Sequence, residues 1–284
     1  AGAPGAGRAH GPALMGPYLA IVSARFRMLL QYRAAAIAGL WTQVFFGFVL
    51  IMVYEAFYRS TDAPQPLSFP ELASYVWLGQ ALLATLPWNA DPELRAMVRS
   101  GAVAYELCRP IDLYALWFAR ALAWRTAPTV LRAAPMAVFA IAVLPWLGLP
   151  EWRLAPPTPA AGLAFALALC AALALSCAIS TLIHITLLWT VSGDGMVMLL
   201  TAATSLFSGL IIPLPLFPDG LRAVLEWLPF AGVADQPYRV YTGNLPPGEL
   251  GLVLARQLAW TVLLIALGRW LIGRGVRRLV VQGG

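Results

Sequence analysis

The sequence predicts an all-α, polytopic membrane protein with six transmembrane helices and an interfacial helix ahead of them. Of its 284 residues, 60% are hydrophobic and only 11% charged, with mean hydropathy +0.74. That is too little charge to cover a water-facing surface, so most of the surface must meet lipid. Several apolar runs also reach about 20 residues, enough at 1.5 Å per residue to cross a hydrocarbon core. The placement of arginine then sorts the intervening loops onto two sides.

The elements follow in order. Residues 1–14, AGAPGAGRAHGPAL, are small and rich in Gly and Pro, and 1–15 read as a flexible tail before a single transmembrane domain over 16–284. Residues 18–33, YLAIVSARFRMLLQYR, place Leu19, Val22, Phe26, Leu29 and Leu30 on one helical face, with Arg25, Arg27 and Arg33 elsewhere, as in a helix lying along the cytoplasmic leaflet. Ala34–Tyr54 carries no charge and is the first span; a polar, Pro-rich loop follows over 59–70. The second span is about 72–89. From Leu113 a helical pattern runs to Leu147, about 50 Å if unbroken, which exceeds the bilayer core. Its first part, with Arg120 and Arg125, therefore belongs in or beside the cytoplasm, Pro128 and Pro135 are kink points, and the span proper is about 133–149.

Between Arg153 and Asp219 the one formal charge is Asp194, which leaves room for spans at about 160–185 and 195–213 joined by the turn TVSGDG. The stretch after Ser208 is too broken by proline for one span and too apolar for a free loop; within it Pro218–Leu228 reads as an amphipathic helix bearing Leu221, Val224, Leu225 and Leu228. The sixth span is about 250–271. With the N-terminus inside, Arg8, Arg25, Arg27, Arg33, Arg95, Arg99, Arg109, Arg120, Arg125, Arg269, Arg274, Arg277 and Arg278 fall on the cytoplasmic side. Only Arg59, Arg153, Arg222 and Arg239 fall opposite, while Arg132 and Arg256 sit within or near spans. This bias places both termini in the cytoplasm. No internal repeat is visible, which argues against a transporter built from inverted halves.

Composition also excludes chemistry. All 19 basic residues are arginine, so the chain has neither the Lys of a phosphate-binding loop nor one for a Schiff base. It binds no ATP by the usual loop, and no basic, aromatic-interleaved domain points to nucleic acid. Of the three cysteines, Cys108, Cys170 and Cys177, the last two lie seven apart on one helical face, lack metal-site spacing and His partners, and read as small core residues. Glu55 and Asp194 read as solvated, Arg256 as snorkelling to the outer interface, and His184 as packed near the inner end of the fourth span. No Ser/His/Asp or paired-carboxylate arrangement marks a catalytic centre.

The compact charged stretch DPELRAMVRSGAVAYELCRP, 91–110, lies in the first cytoplasmic loop between spans. Asp91 caps a helix opening on Pro92, with Glu93 near its positive end. Leu94, Met97, Val98, Ala102 and Tyr105 then share one face, and Arg95 and Arg99 another. The pattern is that of a boundary helix, which serves either as a topology-setting loop on anionic lipid or as a docking element for a cytoplasmic partner.

Three segments carry a likeness to a known family: YLAIVSARFRMLLQYRAAAIAGLW, VRSGAVAYELCRPIDLY and FSGLIIPLPLFPDGLRAVLEWLPFAGVADQPYRVYTGN. In their order and spacing they resemble the permease subunits of type-two ABC exporters, in the six-span group usually paired with a second permease. The resemblance implies that the 91–112 loop contains a coupling helix, about Asp91–Tyr105, seated in a separate ATPase. Asp91, Glu93, Leu94, Arg95, Val98, Arg99, Tyr105 and Glu106 would be its docking residues. It further implies a re-entrant helical segment before the last span, about 213–243, capping the exit path with Pro213, Pro215, Phe217, Pro218, Leu228, Pro229 and Phe230. The implied partners are a cytoplasmic ABC ATPase dimer, a second homologous permease in a heterodimer, and membrane lipid. ATP and Mg would be bound by the ATPase and no cofactor by this chain. The implied setting is the bacterial inner membrane, and the implied substrate a drug, lipid or amphipathic peptide. Two other functions remain open to the sequence. A lipid-modifying membrane enzyme would gather His or carboxylate residues near Arg120 and Arg125, and a non-transporting scaffold would bind an ATPase without moving a solute.

Overall fold

The computed structural model describes residues 15–31, 33–155, 157–189 and 194–276. Residues 1–14 of the expected 1–15 tail, with Arg8, the terminal Arg277 and Arg278, and residues 190–193 of the polar turn lie outside the described residues, while Met15 opens the first helix. Those described form helices and connecting turns with no strand. In chain order the helices are α1 (Met15–Leu29), α2 (Arg33–Arg59), α3 (Phe69–Ala81), α4 (Pro92–Arg99), α5 (Val103–Leu107), α6 (Leu113–Val138), α7 (Leu144–Trp146), α8 (Pro159–Thr186), α9 (Asp194–Phe207), α10 (Asp219–Trp227), α11 (Asp235–Thr242) and α12 (Leu250–Gly275).

Four segments are long and apolar enough to cross a bilayer: Ala36–Arg59, Leu113–Trp146, Pro159–Thr186 and Leu250–Gly275. The third of the expected spans is thus part of a longer helical run. A π-helical turn, Phe139–Val143, joins α6 to α7, and Pro128 and Pro135 lie inside α6 without ending it. Pro145 offers no N–H to the turn, and the Ala140 carbonyl accepts the Leu154 N–H at 3.0 Å instead. The stretches read as the second and fifth spans hold shorter helices, α3 with 13 residues and α9 with 14.

The break after α3 is built rather than accidental. Glu71 accepts the Ser68 N–H at 2.7 Å at the start of α3, and a 3-10 turn at Leu83–Thr85 follows its end. From there to Asp91 the backbone is not helical, so its polar groups need other partners. Ser176 on α8 donates to the Thr85 carbonyl. Thr201 on α9 donates to Trp88 O at 2.7 Å, and Arg125 on α6 to Asn89 O at 2.9 Å. Three helices therefore converge on one broken strand of backbone.

α8 and α12 pack together, and α8 also meets α6 and α11. The buried face of α8 is rich in alanine (Ala161, Ala164, Ala168, Ala171, Ala172 and Ala178), and small residues let helices approach closely in lipid. On α2 the same device is a glycine. A Cβ on Gly47 would lie 2.5 Å from the Trp77 ring. Trp77 is fully buried, meets Phe48 and Phe139 edge-on, and donates its indole N–H to Trp152 O at 2.6 Å. The opposite face of α2, with Trp41, Phe45, Met52 and Val53, is exposed.

α1 packs along α6. Its packed face carries Ile21, Val22, Phe26 and Leu29, while Leu19 is 63% exposed. Arg25, expected away from that face, belongs to it: Tyr18, Val22, Arg25 and Leu29 follow at helical spacing, and its side chain is only 11% exposed.

Candidate functional site

The 91–112 loop is clamped to the helices around it by a network of ion pairs and hydrogen bonds. Asp91 caps α4, its Oδ1 accepting the Glu93 N–H at 2.9 Å, and is itself buried. Its Oδ2 accepts from Arg25 of α1 at 2.8 Å and from Arg120 of α6 at 3.4 Å. Its backbone N–H donates to His184 Nε2 of α8 at 2.8 Å. That imidazole must therefore be neutral at Nε2, with its proton on Nδ1. Glu93 accepts from Arg25 at 2.6 Å and lies 3.3 Å from Arg120.

Glu106 on α5 completes the network. It accepts the Trp117 indole N–H at 2.8 Å and an N–H of Arg120 at 3.4 Å. Arg120 thus serves three carboxylates from one guanidinium that is 8% exposed. Five residues further along α6, Arg125 donates to Asn89 Oδ1 at 2.9 Å and to Ser180 Oγ at 3.2 Å. Leu94 and Val103 are fully buried among Tyr114, Leu116, Trp117, Ile185 and Ile272. Apolar burial and ion pairing therefore fasten the loop to α1, α6, α8 and α12.

The loop is not a single helix. Gly101 takes φ +75°, the left-handed conformation that ends a helix and suits glycine. The helical phase restarts at Val103, so Val103 takes the inward position and Tyr105, expected alongside Leu94 and Val98, is 78% exposed. Of the expected docking residues, Asp91, Leu94 and Glu106 are buried, Arg95 and Val98 half-buried, and Glu93, Arg99 and Tyr105 exposed. Arg99, Tyr105, Leu107 and Arg109 make the outward ledge. Sequence reasoning missed Arg25, Asn89, Trp117, Arg120 and Ser180 as partners of the loop. The signal available was two arginines, Arg120 and Arg125, in an apolar helix, where unpaired charge is costly.

Hydrogen bonding from Arg25, reinforced by the charge of Arg120, holds the Glu93 carboxyl below its ordinary value of 4.5. A carboxyl depressed in the folded state stabilises it above the unfolded pKa and loses that contribution as pH falls through the folded value. The Tm advantage of wild type over Glu93→Gln should therefore be constant above about pH 6 and shrink below about 4.5. Thermal melts of the two proteins in one detergent across that range check it.

The second expected site, 213–243, is pinned through Asp235 at the start of α11. This carboxylate is fully buried; Oδ1 lies 2.9 Å from the Tyr75 hydroxyl and accepts the Leu214 N–H at 3.0 Å. Burial pushes its carboxyl upward, against the pull of Arg239. Gly209 is required here: it has φ +81°, and a Cβ would collide with the Tyr75 hydroxyl. Arg239 also pairs with Glu226 of α10 at 2.7 Å. Gln257, seven residues into α12, donates to Gly232 O and to Ala168 O of α8, at 2.8 and 3.0 Å. Pro213 and Pro215 are buried, Phe217, Leu228, Pro229 and Phe230 half-buried, and Pro218 exposed. On α10 only Leu225 of the expected apolar face is buried; Leu221, Val224 and Trp227 face outward. Arg256 lies over the Trp227 ring, 4.6 Å from its centroid, and Glu55 pairs with Arg59 at 2.7 Å.

Among the described residues, no group of three His, Cys, Asp or Glu is placed to hold a metal ion. No curated protein and no solved structure gives a significant match to the chain. The sequence model described as "ABC-2 family transporter protein" matches residues 44–283, which takes in the clamped loop, the broken backbone after α3 and the Asp235 segment. This multi-pass, all-helical chain therefore belongs to the ABC-2 family of transporter proteins, whose permeases work with an ABC ATPase.

Proposed function

We propose that the chain is the transmembrane subunit of an ATP-driven exporter, driven by a separate ATPase that docks on the 91–112 loop. The observation that carries this is the division of the loop. Its inward groups are tied to α1, α6 and α8, while Arg99, Tyr105, Leu107 and Arg109 face outward. An exposed Tyr flanked by Arg is a composition protein interfaces favour. A force applied to the ledge would reach α1, α6 and α8 through charge-assisted bonds rather than through slack chain. ATP can drive transport only by changing the relative stability of two permease states, and this loop is where such a bias would enter. In the same reading α3 with its broken extension, and α9, complete six crossings of the inner membrane with both termini cytoplasmic. The 213–243 segment re-enters from the outer side. A second, homologous permease forms the path as a heterodimer, and the cargo is hydrophobic or amphipathic.

Co-purification with the products of its neighbouring genes tests the docking. The wild-type complex should retain an ATPase. Arg99→Glu with Tyr105→Ala should lose it at least tenfold, with a fall in Tm much smaller than that of Arg120→Ala, because neither side chain is buried. Retention by that variant would remove the docking assignment.

A lipid-modifying enzyme is the second reading, favoured by the convergence of Asp91, Glu93, Glu106 and His184 around Arg120. These groups are already committed: the imidazole nitrogen accepts a backbone N–H, and each carboxylate is paired with arginine. Turnover of lipid by the isolated chain without ATP would establish this reading instead.

A further inference from the structure

Arg132 is the one arginine in α6 that the loop network leaves unused. It lies 14 residues before Trp146, about 21 Å of helix rise, well inside the apolar run. Among the described residues its guanidinium has no acidic or hydrogen-bonding partner, and its Nε is buried and unpaired. The group packs against α2 at Gly39, where a Cβ would lie 2.7 Å from Cζ. One turn along that face of α2, Gln43 is 4% exposed, and neither its Nε2 nor its Oε1 has a partner. Both residues therefore lie along the α2–α6 seam with unmet hydrogen-bonding capacity. Buried polar groups of this kind are rare without a ligand or an ion to meet them.

The space beside Arg132 is a cavity of about 510 Å³ bounded by Met28 of α1, Ala36 of α2, Trp88, and Trp124, Leu131 and Arg132 of α6. This is the size of a small-molecule site. Its walls are mostly apolar and aromatic. At its cytoplasmic end Asp91 and Glu93 are neutralised by Arg25 and Arg120, and Arg125 is occupied by Asn89 and Ser180. Among the described residues that line the cavity, the cation left without a partner is Arg132, whose planar fork matches a phosphate or carboxylate. We infer that this cavity binds an amphipathic organic anion, with Arg132 meeting the acidic group and Trp88, Trp124 and Leu131 meeting the apolar body. The inference stands on the cavity alone and does not depend on the ATPase docking.

Photolabelling of the purified full chain in a neutral detergent tests it. The probe is a diazirine-bearing twelve-carbon alkyl phosphate, compared with the corresponding alcohol. Wild type should label at peptides within 83–93 or 124–132, at least tenfold more with the phosphate than with the alcohol. Arg132→Gln should lose that preference. Unlabelled dodecyl phosphate and a short-chain phosphatidate should compete, whereas inorganic phosphate at the same concentration should not. Equal labelling by alcohol and phosphate, labelling elsewhere in the chain, an unchanged preference in Arg132→Gln, or equal competition by inorganic phosphate would each overturn the proposal. The wild-type comparison needs no variant, so it remains decisive if Arg132→Gln does not fold. Because no ATPase is present, a negative result leaves the docking proposal untouched.

Discussion

Arg120→Ala is expected to destabilise the folded protein by about 3–5 kcal/mol, the usual cost of removing one partner from a buried ion pair. The reason is specific to the geometry. Arg120 faces Asp91, Glu93 and Glu106 at 3.3–3.4 Å, and two of those carboxylates are nearly inaccessible to water. Asp91 would keep Arg25, and Glu106 would keep the Trp117 N–H, but Glu106 would have no cation among the contacts described. A thermal melt of the detergent-solubilised protein should show a large fall in Tm, with loss of the single species on gel filtration. Arg59→Ala is the control. Arg59 is 78% exposed and pairs with Glu55 one turn away, and such surface pairs contribute at most about 1 kcal/mol.

Asp235→Ala should cost about 3 kcal/mol, and locally. It leaves the buried Leu214 N–H without its acceptor and takes one of the two carboxylates from Arg239. Glu226 still holds Arg239, which keeps the loss below that of Arg120→Ala. Hydrogen exchange should accelerate over residues 208–245 and much less over α2 or the 91–112 loop. Asp235→Asn, which keeps an acceptor in place, should lie between wild type and the alanine variant.

Much of the framework was legible because it is written in runs. Ala34–Tyr54, 160–185 and 250–271 are apolar and unbroken, and each coincides with a long helix, α2, α8 or α12. The Asp91 cap and the Pro92 start were readable because capping is a local rule. The break after α3 was not. Leu82–Leu86 is as apolar as what precedes it, and what makes the break tolerable is Ser176, Thr201 and Arg125, far away in sequence. The ion network was hidden for the same reason: Asp91 meets Arg25 across 66 residues, Arg120 across 29 and His184 across 93. Facial patterning failed at Tyr105 because Ser100–Gly101 resets the helical phase. That Gly was the available signal.

The result also changes the meaning of the charges in the loop. As a pattern they suggested a surface to be read by a partner. In the fold, Asp91 and Glu106 face inward and hold the loop to the bundle, so what remains for a partner is a smaller ledge of Arg99, Tyr105, Leu107 and Arg109. Separating these two sets is what lets the two kinds of variant be distinguished. Inward ones should lower Tm, and the double outward change Arg99→Glu with Tyr105→Ala should lose the ATPase with a much smaller effect on Tm.

Cysteine accessibility at position 105 tests the docking claim most directly. In a Cys108→Ser background, which removes the exposed cysteine nearby, Tyr105→Cys should react rapidly with a membrane-impermeant maleimide in the isolated chain. In the complex assembled with its neighbours, the same cysteine should be protected at least tenfold, and a short bifunctional reagent should link it to the ATPase. Full maleimide reactivity of that cysteine in a complex that hydrolyses ATP would contradict the account.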